Sequence, residues 1–131
     1  MTQLSLPLPA TREERGLRAY LSGASAEAAV ARYLGRRGCD LVAERWRGKG
    51  GEIDLILREG ETYVFCEVKK ARSFDAAQNS LRETQMYRIH AAASEYLEHT
   101  PKGQLSDVRF DLALVNETGE IRIVKNAFGH F

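Results

Sequence analysis

The 131-residue sequence predicts an α/β fold, a mixed β-sheet flanked by helices. Three observations predict it. Helical and strand patterns follow one another in the order α-β-β-β-α-β-β. Residues 53–58 and 62–69 are two apolar runs around the turn "EGET", the pattern of a hairpin. Residues 108–115, "VRFDLALV", are nearly all apolar and read as a strand buried on both faces.

The elements can be justified in order. Residues 1–11 read as a flexible tail, because the first ten hold two prolines and no charge. Residues 12–131 read as a single domain, which this length suits. "EERGLRAYLSGASAEAAVARYLGRRG" is helical, with a break or reorientation expected near Ser22-Gly23 and a stop at Gly38. "CDLVAERWR" is extended, and "GKGG" is a glycine-rich turn. After the hairpin, residues 76–99 read as one long helix ended by Pro101. "NETGE" is a turn and "IRIVK" a last short strand.

Composition narrows the function classes. At 44% hydrophobic and 28% charged, the chain is neither disordered nor membrane-spanning in character. No basic and apolar leader is visible, and Cys39 and Cys66 lack metal-ligand spacing, so reduced thiols and a cytoplasmic location are expected. His90, His99 and His130 show no ligand spacing either. Net charge is +1, with a balance of +4 over residues 1–50 and −3 over 51–131. That asymmetry permits a local anion-binding face without requiring one.

The hairpin carries the candidate chemistry. Side chains alternate along a strand, so Ile53, Leu55 and Leu57 share one face with Val64, Cys66 and Val68 in the register that buries most apolar surface. Asp54 and Ile56 then lie opposite, with Phe65, Glu67 and Lys69. A four-residue loop "EGET" puts Asp54 directly across from Glu67, and a two-residue loop "EG" makes them diagonal neighbours. Two carboxylates so close need compensation, from Lys69 or from a hard divalent cation. Taken alone, Glu-x-Lys on a strand is a common solvent-face pair, and that bland reading stays open at this point.

"GGEIDLI" followed by "YVFCEVK" resembles the YraN-like family of small bacterial proteins. That family resembles a branch of the restriction-endonuclease-like PD-(D/E)XK superfamily, near archaeal Holliday junction resolvases. The likeness spans roughly residues 23–128, including "AEAAVARYLGRRG", "RFDLALV" and "NAF". It implies a restriction-endonuclease-like sheet core and metal-dependent phosphodiester hydrolysis of DNA, branched or flapped forms included, leaving a 5′-phosphate. Asp54, Glu67 and Lys69 match the D and E-x-K positions, and Glu27 matches the first-helix glutamate. Asp54, Glu67, Glu27 and the Val68 carbonyl are then the implied holders of Mg²⁺ or Mn²⁺. On its helix Glu27 shares a stripe with Val30, Ala31 and Leu34, and a place near the helix start explains it equally well.

The pattern departs from the family in three places. Arginine follows E-x-K one position late in "EVKKAR", Gln85 stands where a helix lysine is usual, and Ala26-Glu27 replaces Gly-Glu. Arg47, Lys49, Lys70, Arg72 and Gln85 are candidate nucleic-acid contacts, although solvated loop, surface and helix-face roles account for them as well. Trp46 is expected to pack beneath the glycine loop, and Asp111 to anchor a structural ion pair with Arg109. A nucleic-acid partner, most naturally DNA, is expected, and no membrane; a homodimer is possible by analogy with resolvases. The alternative function is a nucleic-acid-binding or protein-interaction module on a nuclease scaffold, without turnover.

Overall fold

The computed structural model describes residues 11–130. The tail expected at 1–11 lies outside them except for Thr11, which caps the first helix, α1 (Arg12–Gly35). Its hydroxyl accepts the Glu14 N–H at 3.1 Å, and the Glu14 carboxylate accepts the Thr11 N–H at 3.3 Å. The helix is not broken at Ser22-Gly23 as expected. One glycine costs a helix about 1 kcal/mol, which the cap and the alanine-rich second half offset. Gly38, at φ 88°, stops the chain as expected, and the Cys39 N–H turns back to the Leu34 carbonyl.

The strands are β1 (Asp40–Arg47), β2 (Glu52–Glu59), β3 (Thr62–Lys70), β4 (Val108–Val115) and β5 (Ile121–Val124). They form one five-stranded sheet in the order β1-β2-β3-β4-β5. All neighbours are antiparallel except β3 and β4, which run parallel. That parallel step requires a crossover, made by α2 (Phe74–Asn79) and α3 (Glu83–Leu97). The single helix expected over 76–99 is therefore two. Ser80 turns its hydroxyl onto the Ala77 carbonyl, Leu81 is buried, and the Arg82 N–H restarts the helix on the Gln85 side chain.

Helices cover both faces. Ala26, Val30 and Leu34 of α1 pack on Leu55, Leu57, Val64, Cys66 and Ala113. Ile89, Ala92, Ala93 and Leu97 of α3 pack on Ile56, Phe65, Phe110, Leu112 and Leu114. Strand β4 serves both layers, which accounts for its continuous apolar run.

The hairpin register sets Arg58 across from Tyr63 and Leu55 across from Cys66. This is the first of the two registers expected. Continued by one step, it faces Asp54 with Glu67. One expected neighbour is displaced, however. Ile53 joins Ile56, Phe65 and Trp46 on the α3 side, not Leu55 and Leu57 on the α1 side. Strict alternation thus fails between Ile53 and Leu55. Arg45 sits opposite, between the pairs Glu44–Leu55 and Trp46–Ile53, with its backbone left-handed at φ 47°.

Candidate active site

The site lies where β2 begins and β3 ends. Asp54 is half-buried at the start of β2, and its Oδ2 accepts the Val68 backbone N–H at 2.8 Å. The carboxylate takes the place of a strand partner, tying the two strands where the hairpin ladder stops. Glu67 faces Asp54 across the hairpin, and its carboxyl is pushed up to about 9. Burial is the main cause, and the hydrogen bond and charge of Asp54 add to it. Lys69 pulls the other way, with its Nζ 3.5 Å from Glu67 Oε2. Burial and Asp54 prevail, so Glu67 keeps its proton at neutral pH. The side chains of Glu67 and Lys69 are only 12% and 19% exposed, which rules out the solvent-face reading.

Such a proton is what a divalent cation would displace. The two carboxylates offer oxygen donors only, which suit a hard ion that keeps several waters. Among the described residues no group of three or more His, Cys, Asp or Glu converges as a metal site. Glu27, the implied third carboxylate, is turned to Arg45, whose Nε donates to its Oε2 at 2.9 Å. Burial pushes the Glu27 carboxyl up and Asp54 adds to the rise, while Arg45 opposes it. Glu27 therefore stands within electrostatic reach of the pair but is committed to an arginine. Nothing in the sequence pattern singled out that partnership.

The candidate nucleic-acid contacts separate into two groups. Lys70 and Arg72 are exposed at the exit of β3 and line an open depression with Ser22 and Gly23. Lys70 Nζ donates to Ser22 Oγ at 2.8 Å, holding the strand end against α1. The others have structural work. Arg47 is exposed and pairs with Glu52 at 3.0 Å. Gln85 Oε1 accepts the Arg82 N–H at the start of α3. Lys49 projects from a loop that is latched down: the Glu95 carboxylate accepts the backbone N–H groups of Lys49 and Gly50 at 2.8 and 2.6 Å. Those bonds hold Glu95 below the usual carboxylate range.

The loop glycines serve that latch. A Cβ on Gly50 would lie 2.7 Å from Ala91 Cβ, and one on Gly51 3.0 Å from the Arg88 backbone. The close approach is to α3. Trp46 packs beneath the loop as expected, edge-on to Tyr96 at 5.5 Å between ring centroids. Glu95 as the latch was invisible in sequence, because it lies 45 residues from its partner Gly50.

The model described as "Uncharacterised protein family UPF0102" matches residues 26–115, a span that holds Glu27, Asp54, Glu67 and Lys69. The chain belongs to the UPF0102 family. It is 55% identical over 116 residues to the UPF0102 protein of Ruegeria pomeroyi, covering 88% of this chain and 94% of the relative. It is 48% identical over 120 residues to that of Dinoroseobacter shibae, covering 92% and 90%. Against the Roseobacter denitrificans UPF0102 protein the identity is 45% over 127 residues, 97% of each chain. The family expected from the hairpin motifs is thereby established. No helix among the described residues is long and apolar enough to cross a membrane.

The proton held by Glu67 has a measurable consequence. Its folded-state pKa lies above the unfolded one, so its stabilisation is fully present below about pH 4.5 and lost as pH rises toward about 9. Metal-free protein should therefore lose stability across that window. Glu67→Gln, neutral at every pH, should flatten the decline and be more stable than wild type at pH 8.5, by on the order of 1–3 kcal/mol. Urea titrations at pH 5.5 and 8.5 check this, and a variant less stable than wild type at the higher pH contradicts it.

Proposed function

We propose that this UPF0102 protein is a metal-dependent nuclease that hydrolyses phosphodiester bonds in DNA. Its sheet core is taken as restriction-endonuclease-like. The observation that carries the reading is the facing of Asp54 and Glu67 across the hairpin, with Lys69 Nζ 3.5 Å from Glu67 and both Glu67 and Lys69 largely withdrawn from solvent. Charge of this kind inside a sheet is costly to a fold and is usual at functional sites.

Asp54, Glu67 and the Val68 carbonyl would hold Mg²⁺ or Mn²⁺. The chemistry such a cation supplies is activation of water and neutralisation of charge on the phosphoryl group. Asp54 is held in orientation by the Val68 N–H. Lys69 is confined by burial to a short radius around Glu67 and would present its ammonium to the attacking water or to a phosphoryl oxygen. Lys70 and Arg72, exposed beside this end of the sheet, would take the flanking phosphates as positioning contacts. Branched or flapped DNA is the preferred substrate class, following the likeness to resolvases.

One observation favours a second reading, a binding module without turnover. Glu27 is paired with Arg45, so two carboxylates and not three converge. A screen of linear, flapped, forked and four-way DNA with Mn²⁺ separates the readings. The nuclease reading expects cutting of at least one substrate by wild type and none by Glu67→Ala. Salt-dependent binding without cutting supports the module. Failure to bind or cut any substrate at low salt removes both.

A further inference from the structure

We propose that Arg45 is a positioning residue with two separable jobs: its left-handed backbone sets Asp54 in place, and its guanidinium holds Glu27 beside the same end of the sheet. The first job is independent of any metal. The second rests on the metal-site reading above.

The backbone job follows from the strand phases. Across β1 and β2 the pairs Ala43–Ile56 and Trp46–Ile53 are in register. All four residues belong to the α3-side layer. Positions 43 and 46 are three apart, as are 53 and 56, so regular alternation would put each set on opposite faces. Both strands therefore change phase between these pairs. Within that interval β1 holds Arg45, at φ 47°, and β2 holds Asp54 across from it. A local break of this kind re-aims a side chain. Asp54, released from strict alternation, lies where it accepts the Val68 N–H.

A left-handed arginine is disfavoured, since its Cβ crowds the following carbonyl. Glycine and asparagine adopt that conformation most readily, and a β-branched residue least. The guanidinium supplies a second tie. It bridges from β1 to Glu27 of α1 at 2.9 Å, with Glu27 only 18% exposed. Arg45 thus links the strand kink, the helix and the neighbourhood of Asp54.

Variants that all lack the guanidinium isolate the backbone. In metal-free protein, Arg45→Gly and Arg45→Asn should keep the slow exchange of the Val68 amide proton seen by NMR. Arg45→Val should lose it. Melting temperatures should fall in the order Gly, Asn, Ala, Val, with about 5 °C or more between the ends. Should the valine variant fail to fold, Arg45→Ala gives the same readout in milder form. Wild-type protection of Val68 in the valine or alanine variant, or its loss in the glycine variant, would overturn the backbone job.

Mn²⁺ affinity, read by EPR without DNA, tests the guanidinium. Arg45→Asn and Glu27→Gln should each weaken binding by about tenfold, and Arg45→Asn should add nothing in the Glu27→Gln background. Arg45→Lys should restore part of the loss. Additive losses, or unchanged affinity in Arg45→Asn, would overturn this job. If wild type binds no Mn²⁺, the metal-site reading and the guanidinium job both fall, and Val68 exchange still decides the backbone job.

Discussion

Lys69→Ala is expected to lower Mn²⁺-dependent DNA cleavage by about 10²–10³-fold or more while the fold and the bound cation persist. The lysine is 19% exposed and stands 3.5 Å from Glu67, so its ammonium is held beside Glu67 by burial, not by a flexible reach. Charge supplied from a partly dehydrated, fixed position is worth far more to a transition state than charge in water. Removing it has a side effect with a definite sign. Lys69 lowers the proton affinity of Glu67. Without it Glu67 holds its proton more tightly, so metal binding weakens near neutral pH and recovers as pH rises. Single-turnover cleavage at pH 8.5 and saturating Mn²⁺ separates the two effects. Cleavage within threefold of wild type there would remove Lys69 from the chemistry.

Asp111→Ala carries the largest expected cost to stability, about 3–5 kcal/mol. Asp111 is fully buried in β4 and is met by both the Nε and a terminal nitrogen of Arg109, at 2.9 and 3.1 Å. Its Oδ1 also accepts the Asn126 N–H at 2.9 Å. Asn126 in turn accepts the Phe110 N–H, and the buried Phe128 follows it. Truncation leaves Arg109 a half-buried charge with Glu59 as its remaining ion-pair partner, and it unties the C-terminal segment. Urea unfolding measures the loss. A cost under 1 kcal/mol would mean that the network is a bystander.

The layer structure was legible because it follows from periodicity. Alternation in the hairpin and the unbroken run in β4 fix which residues face which layer. The facing of Asp54 and Glu67 followed from the same rule, and the structure keeps that register. What escaped depends on single backbone angles and distant partners. Ile53 changes layer through the kink at Arg45, and no propensity scale puts an arginine at positive φ. The break between α2 and α3 turns on a buried Leu81, which an amphipathic helix would have accommodated equally well. The loop glycines let the loop rest on α3, because Glu95 pulls its N–H groups inward. The resemblance singled out Glu27, which lies within electrostatic reach of Asp54, but its hydrogen-bond partner comes from β1.

The central claim is that a divalent cation would take the place of the proton that Glu67 holds beside Asp54. Calorimetric titration of Mn²⁺ into metal-free protein at pH 7, with wild type and Asp54→Asn side by side and in two buffers of different ionisation enthalpy, tests it most directly. The prediction is one cation bound by wild type with release of a proton to the buffer, and no measurable binding by Asp54→Asn. Wild type that binds nothing, or an Asp54→Asn variant that binds as wild type does, would contradict it.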